Sequence, residues 1–274
     1  MTVTALNSTL HSDRALAALF APIAVREGLL KLYAWTEEIE TIPFKAKDPA
    51  IQAMRFAWHR DAVSDLFASP QKVRRHAAYE GMAQLIDGDV GASVEALNGV
   101  IDAVEDGTLP ERVADDGTLL SIMDRHHGAL THIAIRICDK TGRSALEETC
   151  ARVVGLAHWC RAFGLRAGTK MALMPETALA AAEFNIHRLA TGREPDIARA
   201  AFDGVINLLS AELDRMQRGE KCPPDLFPAL GPARLARATL KTLNSADDLY
   251  RTDFHRPQIA RQFDLLKASL SGRL

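Results

Sequence analysis

The chain has 274 residues, 47% of them hydrophobic and 25% charged, an ordinary globular composition long enough for a substantial core. A formal net charge of −2 gives no overall basic field for nucleic acid. No stretch approaches roughly eighteen uncharged apolar residues, and no basic segment precedes a long apolar run at the start, so neither a spanning helix nor a secretory signal is expected.

The pattern is helical almost throughout. Ser12-Asp13 is a cap signal for a first helix, broken at Pro22. The next helix is expected over residues 23–42, ending before Pro43. Asp48-Pro49 places an N-cap acid before a proline at the first helical position. From there Ile51, Met54, Trp58, Ala62 and Leu66 fall at helical spacing and read as one apolar stripe. Ser69-Pro70 stops that helix.

Helices are expected over 71–87 and 90–105, with Asp106-Gly107 and Asp116-Gly117 punctuating the loop that follows. A long helix should cover 119–138. Ser144-Ala-Leu-Glu147 has the form of a capping box. Pro175, Pro195 and Pro257 each open a helix, Pro223-Pro224 marks a turn, and a short helix fits 232–243. Gly81 and Gly128 inside helical patterns suggest close helix approach. No run alternates as a strand, and no repeat or compositional break appears, so the expectation is a single all-α domain over 1–274.

The four cysteines, Cys138, Cys150, Cys160 and Cys222, form no C-x-x-C pair and have no histidine at zinc-finger spacing. They read as buried free thiols, which fits a cytoplasmic setting. His126 and His127 point in different directions on an α-helix and make poor co-ligands. Together with His59 they read as satisfied or surface histidines.

Two stretches carry chemistry. The first begins Tyr33-Ala34-Trp35, continues through Glu37-Glu38-Ile39-Glu40 and leads to Arg55, Trp58, Arg60 and Asp61. The second runs Gly155-Leu-Ala-His158-Trp-Cys-Arg161-Ala-Phe-Gly164-Leu-Arg166 and on to Met174-Pro175. In order and spacing these resemble the squalene/phytoene synthase family, from about Asp13 to the Leu226–Leu230 stretch. The resemblance implies the isoprenoid-synthase helical bundle.

It also implies a site. Family synthases join two isoprenoid diphosphates, and carboxylate-held magnesium neutralises the leaving diphosphate. The aspartate positions of the first motif fall here on Glu40, Thr41 and Phe44. Those of the second fall on Ala162, Leu165 and Arg166, and His158 stands at the usual asparagine. Tyr33, Glu37 and Glu40, at i, i+4 and i+7, could share a weak cation-binding face; a solvated acidic turn is the favoured alternative. Arg55, Arg60, Arg161, Arg166 and Lys170 could instead hold an anion directly, against the plainer reading of surface or paired arginines. Trp58 and Trp159 read as core or cavity wall.

This pattern is similar to the family's aspartate-poor branch, which includes a complex I assembly factor. The resemblance therefore implies a non-catalytic, synthase-like protein assisting assembly of respiratory NADH dehydrogenase. It would contact a complex subunit or assembly protein, without a cofactor, at the inner face of the membrane as a peripheral protein. One alternative is a prenyl transferase with a degenerate magnesium site built on Glu37 and Glu40. Another is a metal-free binder of isoprenoid phosphate or lipid.

Overall fold

The computed structural model describes residues 13–274, and every regular element in them is helical. The Ser12 half of the first cap signal lies outside the described residues. A helical turn over 13–18 leads to α1 (Ile23–Glu40), entered from Pro22. α1 stops at Glu40 rather than running to Ile42. Thr41 caps it, and Pro43 sits inside a separate turn, Ile42–Lys45, where an early position in a helix tolerates its missing N–H.

α2 (Pro49–Leu66) begins where Asp48-Pro49 predicts. Asp48 accepts a hydrogen bond from the Ala50 N–H at 2.8 Å. Its apolar stripe meets the core only at its C-terminal end, at Ala62 and Leu66. Phe56, His59, Ala62, Val63 and Leu66 are buried, whereas Ile51, Met54 and Trp58 face outward, Met54 at 66% exposure. The helix carries apolar residues on two sides, and spacing alone cannot say which side meets the bundle.

α3 (Ala77–Asp87) and α4 (Val94–Asp106) start later than expected, at His76 and Ser93, whose side chains accept the free N–H groups of the first turn. Ser144 does not form a capping box. It accepts from the Leu146 N–H in a turn, and α7 (Glu147–Arg161) starts at Glu147 with no side-chain cap.

The expected long helix is one continuous rod in three parts: α5 (Asp116–Met123), a π-helical turn (Asp124–Gly128) and α6 (Ala129–Cys138). A π turn holds one extra residue, so it shifts the facing of every side chain after it by about a quarter turn. Ion pairs fix it on both flanks. Arg152 of α7 grips Asp124 with two hydrogen bonds of 2.7 Å, and Arg125 reaches Asp106 of α4 at 2.9 Å.

α7 crosses this turn closely because position 155 is glycine. A Cβ there would come within 2.6 Å of both the His127 ring and the Met123 sulfur. Gly28 makes a similar approach, 2.8 Å from Ile137; of the two glycines singled out in the sequence, Gly81 does sit tightly, 3.2 Å from the Lys31 side chain of α1, while Gly128 has only ordinary contacts.

Beyond them come the short α8 (Phe163–Gly168) and the longer α9 (Pro195–Arg218), α10 (Ala236–Asn244) and α11 (Gln258–Ser271). α9 packs along α7, and α1 lies against α3 and α6. The core is continuous across these pairs. Trp35, Phe56, Tyr79, Phe163 and Phe202 are fully buried, each worth about 2–3 kcal/mol over exposure. The Phe163 ring stands edge-on to Phe202 and to Tyr250, with centroids 4.9 and 5.1 Å apart. The four cysteines are free, and burial pushes the thiols of Cys138, Cys160 and Cys222 up to about 12.

Candidate functional site

A cavity of about 50 Å³ lies between the end of α1, the π turn, α4 and the α7–α8 junction. That volume holds a few water molecules. Glu40, His126, His127 and His158 line one wall; Gly107, Trp159, Ala162, Arg166 and Met171 line the other.

On the first wall Glu40 is buried, with its carboxylate 3.2 Å from Arg14. The same guanidinium reaches His127 Nδ1 at 3.2 Å. His126 Nε2 lies 3.0 Å from Glu40 Oε1, close but out of line for a hydrogen bond. The π turn makes this possible by bringing both histidines inward, with ring centroids 4.1 Å apart. The expectation that His126 and His127 diverge is thereby corrected, because it assumed α-helical spacing.

His158 reaches the same spot from α7, and its Nε2 has no hydrogen-bond partner among the described residues. Burial drives the pKa of His127 well below its ordinary value and that of His158 down to about 3. Both rings are therefore neutral at physiological pH.

On the second wall Arg166 is buried. Its Nε donates to the Ala172 carbonyl at 2.7 Å, an Nη donates to the Gly107 carbonyl, and the guanidinium lies 3.6 Å from the Trp159 ring centroid. Trp159 Nε1 donates to the Leu173 carbonyl at 2.6 Å. Burial alone lowers the Arg166 pKa, to about 9, leaving it charged near neutrality.

The remaining sequence candidates are scattered. Glu37 is exposed while Glu40 is buried, so Tyr33, Glu37 and Glu40 do not form one cation-binding face, and Glu40 is no solvated acid. Tyr33 is buried behind Arg14, whose guanidinium carbon lies 5.6 Å from its ring, and desolvation raises the phenol's pKa. Thr41 is buried at the α1 terminus, bonded to the Glu38 carbonyl.

The arginines do not assemble into one anion site. Arg55 and Lys170 are exposed. Arg60 pairs with Asp102 and Glu105 of α4, and Arg161 pairs with Asp13 at 2.9 Å on another side of α7. Trp58 is 37% exposed, edge-on to Tyr79 and beneath Arg74, so it is neither core nor cavity wall; Trp159 does line the cavity. Sequence reasoning missed Arg14 and the inward His126-His127 pair. The adjacent histidines were visible, but the extra residue that turns both inward was not.

A family model described as squalene/phytoene synthase matches residues 10–262. The chain belongs to the squalene/phytoene synthase family. Two solved structures share the fold of this squalene/phytoene synthase family member. The squalene synthase HpnC from Alicyclobacillus acidocaldarius is 14% identical, with a TM-score of 0.61 over 98% of this chain and 92% of that one. A dehydrosqualene synthase in complex with ligand is 10% identical, with a TM-score of 0.66 over 98% and 96%. At those identities the likeness speaks for the isoprenoid-synthase fold alone. No curated protein matches the chain.

Proposed function

We propose that this family member is non-catalytic and acts by binding a protein partner in the assembly of respiratory NADH dehydrogenase. The observation that carries the first half is Arg166. It occupies a position where the resemblance expects a carboxylate, it lines the cavity, and it is tied to the Gly107 and Ala172 carbonyls and to Trp159. Magnesium takes hard anionic oxygens in octahedral array. The donor set does not fit such a cluster: Glu40 is the one carboxylate lining the cavity, it lies against Arg14 and His126, and a guanidinium tied to backbone lines the same space.

The size of the cavity supports the same reading against the isoprenoid or lipid binder. About 50 Å³ is far short of a long isoprenoid chain, and the space is ringed by packed side chains. The second half, the role in complex assembly with peripheral contact at the inner membrane face, rests on the resemblance to the aspartate-poor branch. Among the described residues no helix is long and apolar enough to cross a membrane.

Purified protein mixed with magnesium and farnesyl or geranylgeranyl diphosphate is expected to release no pyrophosphate. Turnover that disappears in Glu40→Ala would overturn the non-catalytic reading. Deletion of the gene is expected to lower assembled NADH dehydrogenase; unchanged levels would remove the assembly role.

A further inference from the structure

We infer that Glu40, His127 and His158 form a binding site for a divalent transition-metal ion of the zinc, cobalt or iron(II) class. Each residue offers one ligand atom, and the three atoms lie within 4.8 Å of one another at the cavity wall. Donors around a tetrahedral ion with bonds of about 2.1 Å sit roughly 3.4 Å apart, so the site needs to draw in by up to about 1.4 Å.

Two imidazoles and one carboxylate are a borderline-soft donor set, suited to zinc or iron(II) and poorly matched to magnesium. Three protein ligands leave a coordination position open, and it faces a cavity with room for water. His158 Nε2 is buried with no partner among the described residues, so a water or a metal ion beside it would satisfy it. His126, stacked on His127 and close to Glu40, would position both ligands.

Arg14 opposes the ion. Its guanidinium lies on Glu40 and on His127 Nδ1, where a second positive charge is unfavourable. Metal entry therefore requires Arg14 to withdraw toward the Tyr33 ring, which its guanidinium already faces at 5.6 Å beside a small adjoining cavity. Arg14 becomes a competing cation that sets the affinity. This inference does not rest on the non-catalytic reading and survives its failure.

The test is titration of the full chain with cobalt(II), read by visible absorption and by equilibrium dialysis. The expected result is one ion per chain with the absorption bands of nitrogen-ligated cobalt, undisturbed by excess magnesium. His158→Ala and His158→Gln should each lose the bands and at least about tenfold in affinity. Arg14→Met should bind at least about tenfold more tightly. Bands that persist unchanged in both His158 variants overturn the proposal, as does their absence from both the parent chain and Arg14→Met.

Discussion

The two walls of the cavity satisfy their charges by opposite means. The Glu40 wall sets a carboxylate against a guanidinium, with three imidazoles around them, so its charges answer one another. The Arg166 wall holds a lone guanidinium on neutral carbonyls and an aromatic face. The first wall is held by side chains alone, each of which has more than one neighbour to turn to. The second is pinned to backbone and behaves as a plug. One cavity thus joins a wall built from paired side chains to one anchored on backbone.

The sharpest way to break this contrast is Glu40→Ala. It leaves Arg14 buried without its counter-charge, and the expected loss is about 3–5 kcal/mol by chemical denaturation. A loss near zero would show that the pair does not hold the wall together. Arg166→Met should cost less, about 2–3 kcal/mol, because it strands two carbonyl acceptors but no opposite charge.

The walls should also differ in pH response. His158 has a folded pKa of about 3 against an ordinary 6.5, so below pH 6.5 the unfolded chain binds a proton that the folded one refuses. The His158 contribution is then full above 6.5 and falls by about 1.4 kcal/mol per pH unit on acidification toward 3. His158→Gln should reduce that slope by one proton's worth, with His127 and His59 still contributing theirs, whereas Arg166→Met should leave it unchanged. The smallest effects belong to the outer surface. Arg60→Ala and Met54→Gln should each change stability by about 0.5 kcal/mol or less, since the first removes a half-exposed ion pair and the second touches an exposed side chain.

Local chemistry made much of the fold legible. Asp48-Pro49, Pro195 and Pro257 announce helix starts because a cap or a fixed φ acts within one turn. The face of α2 was not legible, since Ile51, Met54 and Trp58 repeat with the same period as Phe56, His59, Val63 and Leu66, and only the bundle decides between them. The Glu40 cluster was hidden for two reasons. A π turn leaves no mark in hydrophobic periodicity, and the contact from Arg14 to His127 spans 113 positions. Arg166 stood out in the sequence as a charge against the family pattern, but its carbonyl partners did not.

Asp13 has a consequence for the order in which the chain assembles. Its buried carboxylate accepts from Arg161 in α7 and from Arg261 in α11, the latter 248 positions away. Until α11 has been synthesised and docked, one of its two counter-charges does not exist, and burying the acid is costly. The first described helical turn is thus expected to lock down late, and the helices between it and α11 must find their packing without it.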